Sequence, residues 1–153
     1  MDAIFKKLNF KEQSPILVIH APESFSPNMQ AMAGLTTFVF DLGDLEKITF
    51  AIAFVTKQEE INKLVPQIIP KLEGDAILWF CYPKGSSKKY TCDFNRDTGW
   101  QIMGEHDMEG VRMVAIDQDW SAIRFRNIQY IKNFTRRKSM ALSKKGKSRT
   151  TKK

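Results

Sequence analysis

A three-layer α/β domain is the fold class the sequence predicts, with helices on both faces of a mostly parallel sheet and a C-terminal antiparallel hairpin; three observations predict it. Apolar runs of strand length, bounded by turn residues, begin near Ile16, Leu35, Thr49 and Ala76. Helix-period segments alternate with them, which is the pattern of parallel strands joined by crossovers. The last two strand-like segments, Val111 to Asp117 and Ser121 to Arg126, are parted only by Gln118, Asp119 and Trp120, a turn short enough to make them an antiparallel pair. With 153 residues, 42% of them hydrophobic and 27% charged, the chain suits one soluble domain with a sizeable core.

Residues 2–10 read as a short helix with Ile4, Phe5 and Leu8 on one side. Pro15 opens the first strand, Ile16 to His20, whose ILVI run suits burial on both faces. Ser26 then caps a short helix with Pro27 at its first position and Gly34 past its end. Leu35 to Phe40 forms the second strand, DLGD supplies a turn, and Thr49 to Val55 forms a third strand at the sheet centre. At Thr56 the run T-K-Q-E predicts a capping box closed by Glu59. Ile61, Leu64, Val65, Ile68 and Ile69 then make one apolar stripe, interrupted in its hydrogen-bond ladder by Pro66 and ended by Pro70 and Gly74. Ala76 to Tyr82 is the fourth strand. After the loop PKGSSKKY, a helix is expected over about 95–108, with Trp100, Met103 and Met108 on one face.

Charge divides the chain into a domain, 1–135, and a basic tail, 136–153. The tail holds nine of the 24 Lys and Arg residues and no acid, leaving 15 bases against 17 acids, a net charge of −2, in the domain. Rich in Lys, Ser and Thr, the tail cannot bury enough apolar surface to offset ordering entropy, so it is expected to be flexible. It has two readings: a phosphate-tracking arm for nucleic acid, using Arg136, Arg137, Lys138, Lys144, Lys145, Lys147 and Arg149, or a solubilising terminus. The longest apolar run, Phe50 to Val55, is too short to cross a bilayer, so no membrane partner is expected. An acid at position 2 with Lys6 and Lys7 disfavours a secretory leader and points to the cytoplasm. Cys81 and Cys92 lack C-x-x-C spacing, His20 and His106 stand alone, and no metal is expected.

Ligands of open α/β sheets settle outside the carboxyl ends of the strands. The candidate binding residues are therefore His20 and Glu23 after the first strand, Thr56 after the third, and the loop after the fourth, where Lys84, Ser86, Ser87 and Lys88 combine amides, hydroxyls and positive charge suited to phosphate or carboxylate. These ends are expected to converge on one hollow. Asp93, Arg96 and Asp97, with Arg124 on the hairpin, are further candidates at that rim, and Trp120 is the one tryptophan placed to act as a contact aromatic. Neither G-x-S-x-G nor G-x-G-x-x-G occurs, no glycine precedes Gly34, and Pro22 and Pro27 remove amides where a phosphate would need them. Hence no cofactor and no catalytic residue is assigned.

The segments ILVIHAPESF, FAIAFV, ILWFCYPKGSS, DFNRD and VAIDQDWSAIRFR resemble a family of small uncharacterised bacterial proteins, over about Ile16 to Arg126. By that resemblance Lys84, Ser86, Ser87, Asp93, Arg96, Asp97, Asp117, Trp120, Ser121 and Arg124 fall on the family's polar positions; the tail lies outside the pattern. From Thr49 onward, KLEGDAILWF before a helix and terminal hairpin is also similar to the distal half of Rossmann-type methyltransferases. That implies a Rossmann-like domain. The proximal half departs from the pattern, with no glycine loop and with Asp41 as the sole candidate for a ribose-binding acid.

Together these features point to a non-catalytic cytoplasmic binding or adaptor domain for an anionic partner, nucleic acid among them. The alternative is a small enzyme acting on an anionic substrate, such as a divergent methyltransferase, with Lys84 and Arg96 holding charge and Asp97 or His20 moving protons.

Overall fold

The computed structural model describes residues 1–94 and 98–131. In chain order its elements are α1 (Ala3–Lys7), β1 (Ile16–Ile19), α2 (Ser26–Gln30), β2 (Phe38–Val39), β3 (Ile48–Phe54), α3 (Gln58–Ile68), β4 (Leu72–Pro83), α4 (Gln101–Glu105), β5 (Met108–Ala115) and β6 (Trp120–Asn127). The strands form one six-stranded sheet in the order β2-β1-β3-β4-β6-β5. The first four are parallel, and β6 enters antiparallel beside β4 and pairs in turn with β5. This is the Rossmann-like α/β architecture with an antiparallel end.

Period-two alternation sends each central strand's side chains into two cores. Leu17, Ala53, Leu78, Phe80 and Phe125 pack with Ile61, Val65 and Ile68 of α3 and with Met103 of α4. Val18, Phe50, Ile52, Trp79 and Ala122 pack on the opposite face with Phe5 and Leu8 of the α1 segment, Phe25 and Met32. Trp79 ties these layers together, its indole N–H donating to the Leu8 carbonyl at 2.9 Å. No helix among the described residues is long and apolar enough to cross a membrane.

Four of the differences from the sequence expectation have a clear local reason. The second strand shrinks to Phe38–Val39 because Leu35 and Thr36 donate their amides to the Met32 carbonyl, so they belong to the turn leaving α2. The late helix contracts to Gln101–Glu105: Gly99 (φ +91°) sits just before it in the left-handed region, and Asp107 (φ +61°) takes up that conformation just past its end. The carboxylate that closes the start of α3 is Glu60, not Glu59; its Oε1 accepts the amides of Thr56 at 2.9 Å and Lys57 at 3.0 Å. Lys57 stands at the N-cap and has no side-chain acceptor, so the next amide, of Gln58, is met by Asp93 Oδ1 at 2.7 Å. Finally, Trp120 begins β6 rather than lying in the hairpin turn, because Asp117 Oδ1 accepts the Asp119 and Trp120 amides and closes the turn earlier.

Candidate functional site

The parallel direction of β1, β3 and β4 puts their carboxyl ends on one rim. From β1 the chain passes to β2 on one side and then crosses to β3 on the other, which makes the β1–β3 boundary the topological switch point where ligands of such sheets bind. His20 stands there with φ +55°, a conformation that L side chains rarely adopt, and its ring is largely exposed. Its Nδ1 lies 3.6 Å from Glu60 Oε2. The other oxygen of Glu60 accepts the Thr56 hydroxyl at 3.1 Å as well as the two helix-start amides. One carboxylate thus joins the ends of β1, β3 and the first turn of α3.

Among the described residues, the rim shows two separate hollows rather than the single one expected. Asp93 donates its amide to the Thr56 carbonyl, its carboxylate caps α3, and Gln58 Nε2 donates to the Gly99 carbonyl at 2.8 Å. This segment therefore packs over the end of β3. On the β1–β2 side lies a cleft of about 640 Å³ bounded by His20, Phe40, Asp41, Glu59, Glu60 and Lys63. On the β4 side lies one of about 470 Å³, bounded by Lys84, Tyr90, Cys92, Phe94 and Met113 among others. His20 and Lys84 therefore face different cavities, and the acids of the first cleft outnumber its lysine, which is unsuited to the anionic substrate anticipated for a site uniting them.

Within the loop after β4, much of the polar capacity is used internally. Ser87 donates its hydroxyl to Asp119 Oδ1 at 2.8 Å and accepts the Lys89 and Tyr90 amides, while the Lys84 and Ser87 amides donate to Asp119 and Lys84 carbonyls. Those four amides are turned inward, so the loop is a closed turn and not a cradle of free donors. Lys84 reaches the second cleft, whereas Ser86 and Lys88 are exposed on the loop.

On the opposite face the rim is filled with aromatic carbon. Phe25, fully buried, lies 5.1 Å from the ring of Phe54 at the end of β3; Phe54 lies 5.1 Å from Trp120, and Trp120 4.9 Å from Tyr90. Trp120 is thus a core residue at 3% exposure, correcting its assignment as a contact aromatic: β6 turns it inward onto Phe54. Glu23 begins a single 3₁₀ turn, Glu23–Phe25, is exposed, and borders neither cleft. Asp93 is a helix cap by geometry. Arg124 sits on β6 at the far end of the sheet, half-buried, with its Nε hydrogen sealed from solvent and unpartnered. Burial and the nearby guanidinium of Arg126 hold it below the ordinary arginine range. Arg96, Asp97 and the tail candidates Arg136 to Arg149 lie outside the described residues.

Sequence reasoning missed Glu60 and Lys63, which reach the first cleft from α3, because the apolar stripe drew attention to the other side of that helix. Asp41 was singled out, and it does border the cleft, although its Oδ1 already accepts the Gly43 amide at 2.8 Å. Among the described residues, no three His, Cys, Asp or Glu side chains converge to hold a metal ion.

No protein-family model matches the chain, and no curated protein is similar to it. Its likeness to the uncharacterised bacterial family rests on the quoted segments alone. Solved structures are similar in fold. The pyocyanin biosynthetic protein PhzM superposes with a TM-score of 0.52 at 10% identity, over 81% of this chain and 53% of that one. A phosphoethanolamine N-methyltransferase of Haemonchus contortus gives 0.52 at 10% identity, over 88% and 40%. A SAM-dependent methyltransferase of Aquifex aeolicus gives 0.51 at 9% identity, over 82% and 88%. The chain spans about half the length of the first of these and two-fifths of the second. What this chain has in common with them is the Rossmann-like fold.

Proposed function

We propose that the protein is a non-catalytic binding domain built on a methyltransferase-like fold and directed at an anionic partner. One observation carries the first half of this reading: the connection after β1 is closed by Phe25, which is fully buried against Phe54. A nucleotide or adenosyl group needs glycine there for close backbone approach and free amides at a helix start. The connection instead has Pro22, Pro27 and no glycine, so its residues do not fit such a group. Glu60 Oε1 at the same rim is engaged in capping α3. The anionic partner is supported by the nine basic residues of 136–153.

The test is thermal unfolding of the full chain against a panel of S-adenosylmethionine, S-adenosylhomocysteine, NAD and ATP. The expected result is an unchanged midpoint at every concentration; a midpoint that climbs with an adenosyl compound overturns the reading, because any ligand of the native state must stabilise it.

A second reading is favoured by the left-handed conformation of His20 beside the 640 Å³ cleft, since such conformations cluster at ligand sites. Asp41, Glu59 and Glu60 would select a cationic or hydroxyl-rich small molecule there. Stabilisation by such a ligand that is lost in His20→Ala and Glu59→Gln would establish it.

A further inference from the structure

The β5–β6 end of the sheet carries an arrangement that folding alone does not favour. In β5 the register jumps between Gly110, opposite Phe125, and Arg112, opposite Arg124, so Val111 and Arg112 together face one residue of β6. Paired residues share a face, and Phe125 and Arg124 point to opposite faces of the sheet. The extra residue therefore turns Arg112 onto the Arg124 side; unbulged alternation would have left it with Gly110, whose added Cβ would meet Phe125 and Ile123. The bulge sets two guanidinium-bearing residues directly opposite one another, a placement that destabilises a sheet.

The acid that acts on Arg124 is shared with its neighbour. Of the charged groups acting on Arg124, Arg126 and Arg112 oppose its charge and Asp75 supports it. Asp75 is already held by Arg126, whose Nε donates to both carboxylate oxygens, at 2.9 and 3.1 Å. Glu109, opposite Arg126 in the register, is fully buried. Arg112 is exposed, and Arg124 retains a sealed, unpartnered Nε hydrogen. An exposed guanidinium set opposite a second one, beside an acid that a third already holds, is a feature that a bound anion rationalises.

The geometry points to this face, Arg112 and Arg124 with Arg126 beside them, as a docking surface for the phosphate backbone of a nucleic acid. The proposal rests on the reading of the protein as a binder of an anionic partner and names that partner's class. Two features favour nucleic acid over an acidic protein. The groups are all guanidiniums, whose planar forks suit phosphate. In sequence, 136–153 add nine bases and no acid, a count of cations suited to a polymer of regularly spaced phosphates.

The experiment measures fluorescence anisotropy of labelled single-stranded RNA, duplex DNA and poly-glutamate with the full chain, over a series of salt concentrations. Arg112→Gln and Arg112→Glu are the main variants, because Arg112 is exposed and its loss leaves the core intact; unchanged circular dichroism and thermal midpoint check this. Arg124→Lys keeps the charge and removes the fork. The expected result is binding of RNA or DNA that Arg112→Gln weakens several-fold with a salt slope lower by about one, and that Arg112→Glu weakens by about tenfold or more. Arg124→Lys is expected to weaken it too. Nucleic acid bound with wild-type affinity and slope by all three variants overturns this surface and leaves the anionic-partner reading standing. Poly-glutamate bound as tightly as nucleic acid, with the same dependence on Arg112, overturns the choice of nucleic acid. Failure of the unaltered chain to bind any of the three probes overturns both this proposal and the reading on which it rests.

Discussion

The carboxylate of Asp93 accepts the backbone amide of Gln58 at 2.7 Å, across 35 residues of sequence, and so supplies the cap that α3 lacks at Lys57. This bond joins the loop after β4 to the helix after β3.

Removing that acceptor should loosen both elements. Asp93→Ala is expected to lower stability by about 1 kcal/mol, within the roughly 0.5–2 kcal/mol measured for lost N-caps, whereas Asp93→Asn keeps an acceptor and most of the stability. Urea midpoints of the two variants check this. Equal midpoints for Ala and wild type would show that the cap contributes nothing.

Gly99 lies against the same junction. At φ +91°, an added Cβ would come 2.8 Å from Gln58 Oε1 and 2.9 Å from Phe94 Cβ. The carbonyl of Gly99 also holds the Gln58 side chain, so backbone relief would break that bond. Gly99→Ala should therefore cost about 1–3 kcal/mol. Gly85→Ala, with no atom within 4 Å of its added Cβ, should stay within about 0.5 kcal/mol of wild type. Chemical denaturation of both variants side by side is the measurement.

Such junctions explain which parts of the molecule were legible in the sequence. β1, β3, β4 and the hairpin announce themselves because they are buried on alternating faces, and a run such as FAIAFV has few other uses. The start of α3 was legible to within one residue: Glu59 and Glu60 are adjacent, and only the backbone decides which one turns back toward Thr56. The Asp93 cap was illegible, since it joins residues brought together by the fold alone. So was the division of the rim into separate hollows. The bulge at Val111 and Arg112 left no mark either, because both residues are ordinary in a strand and the register is set by β6.

Cys81 and Cys92 should differ sharply in chemistry. Cys81 is fully buried between β3 and β6, and burial, helped by Asp117, pushes its thiol far above the ordinary range. Cys92 borders the 470 Å³ cleft. Iodoacetamide on the native chain should label Cys92 and spare Cys81, and both should react once the chain is unfolded. The sign of the pH dependence follows from the raised value. Below about pH 9 the thiol is protonated in both states; above it the unfolded chain loses the proton that the native chain keeps, so stability falls as pH rises. Cys81→Ala should cost stability at neutral pH and flatten that alkaline decline. A variant that declines as steeply as wild type would assign the slope to other groups.

His20 offers a test that sets stability against function. Its φ of +55° costs a side chain with a Cβ about 1–2 kcal/mol, while glycine gives back roughly 0.5–1 kcal/mol through the greater freedom of the unfolded chain. The contact with Glu60 spans 3.6 Å at a largely exposed ring, so its loss should cost little. His20→Gly is therefore expected to gain up to about 1 kcal/mol, read as a higher urea midpoint. Asn9 and Asp107 share the left-handed conformation, at φ +68° and +61°, but their short polar side chains tolerate it better, so Asn9→Gly and Asp107→Gly should gain less. A His20→Gly variant less stable than wild type would mean that the imidazole contributes more through Glu60 than its backbone loses, and the strain at the switch point would then need no ligand to account for it.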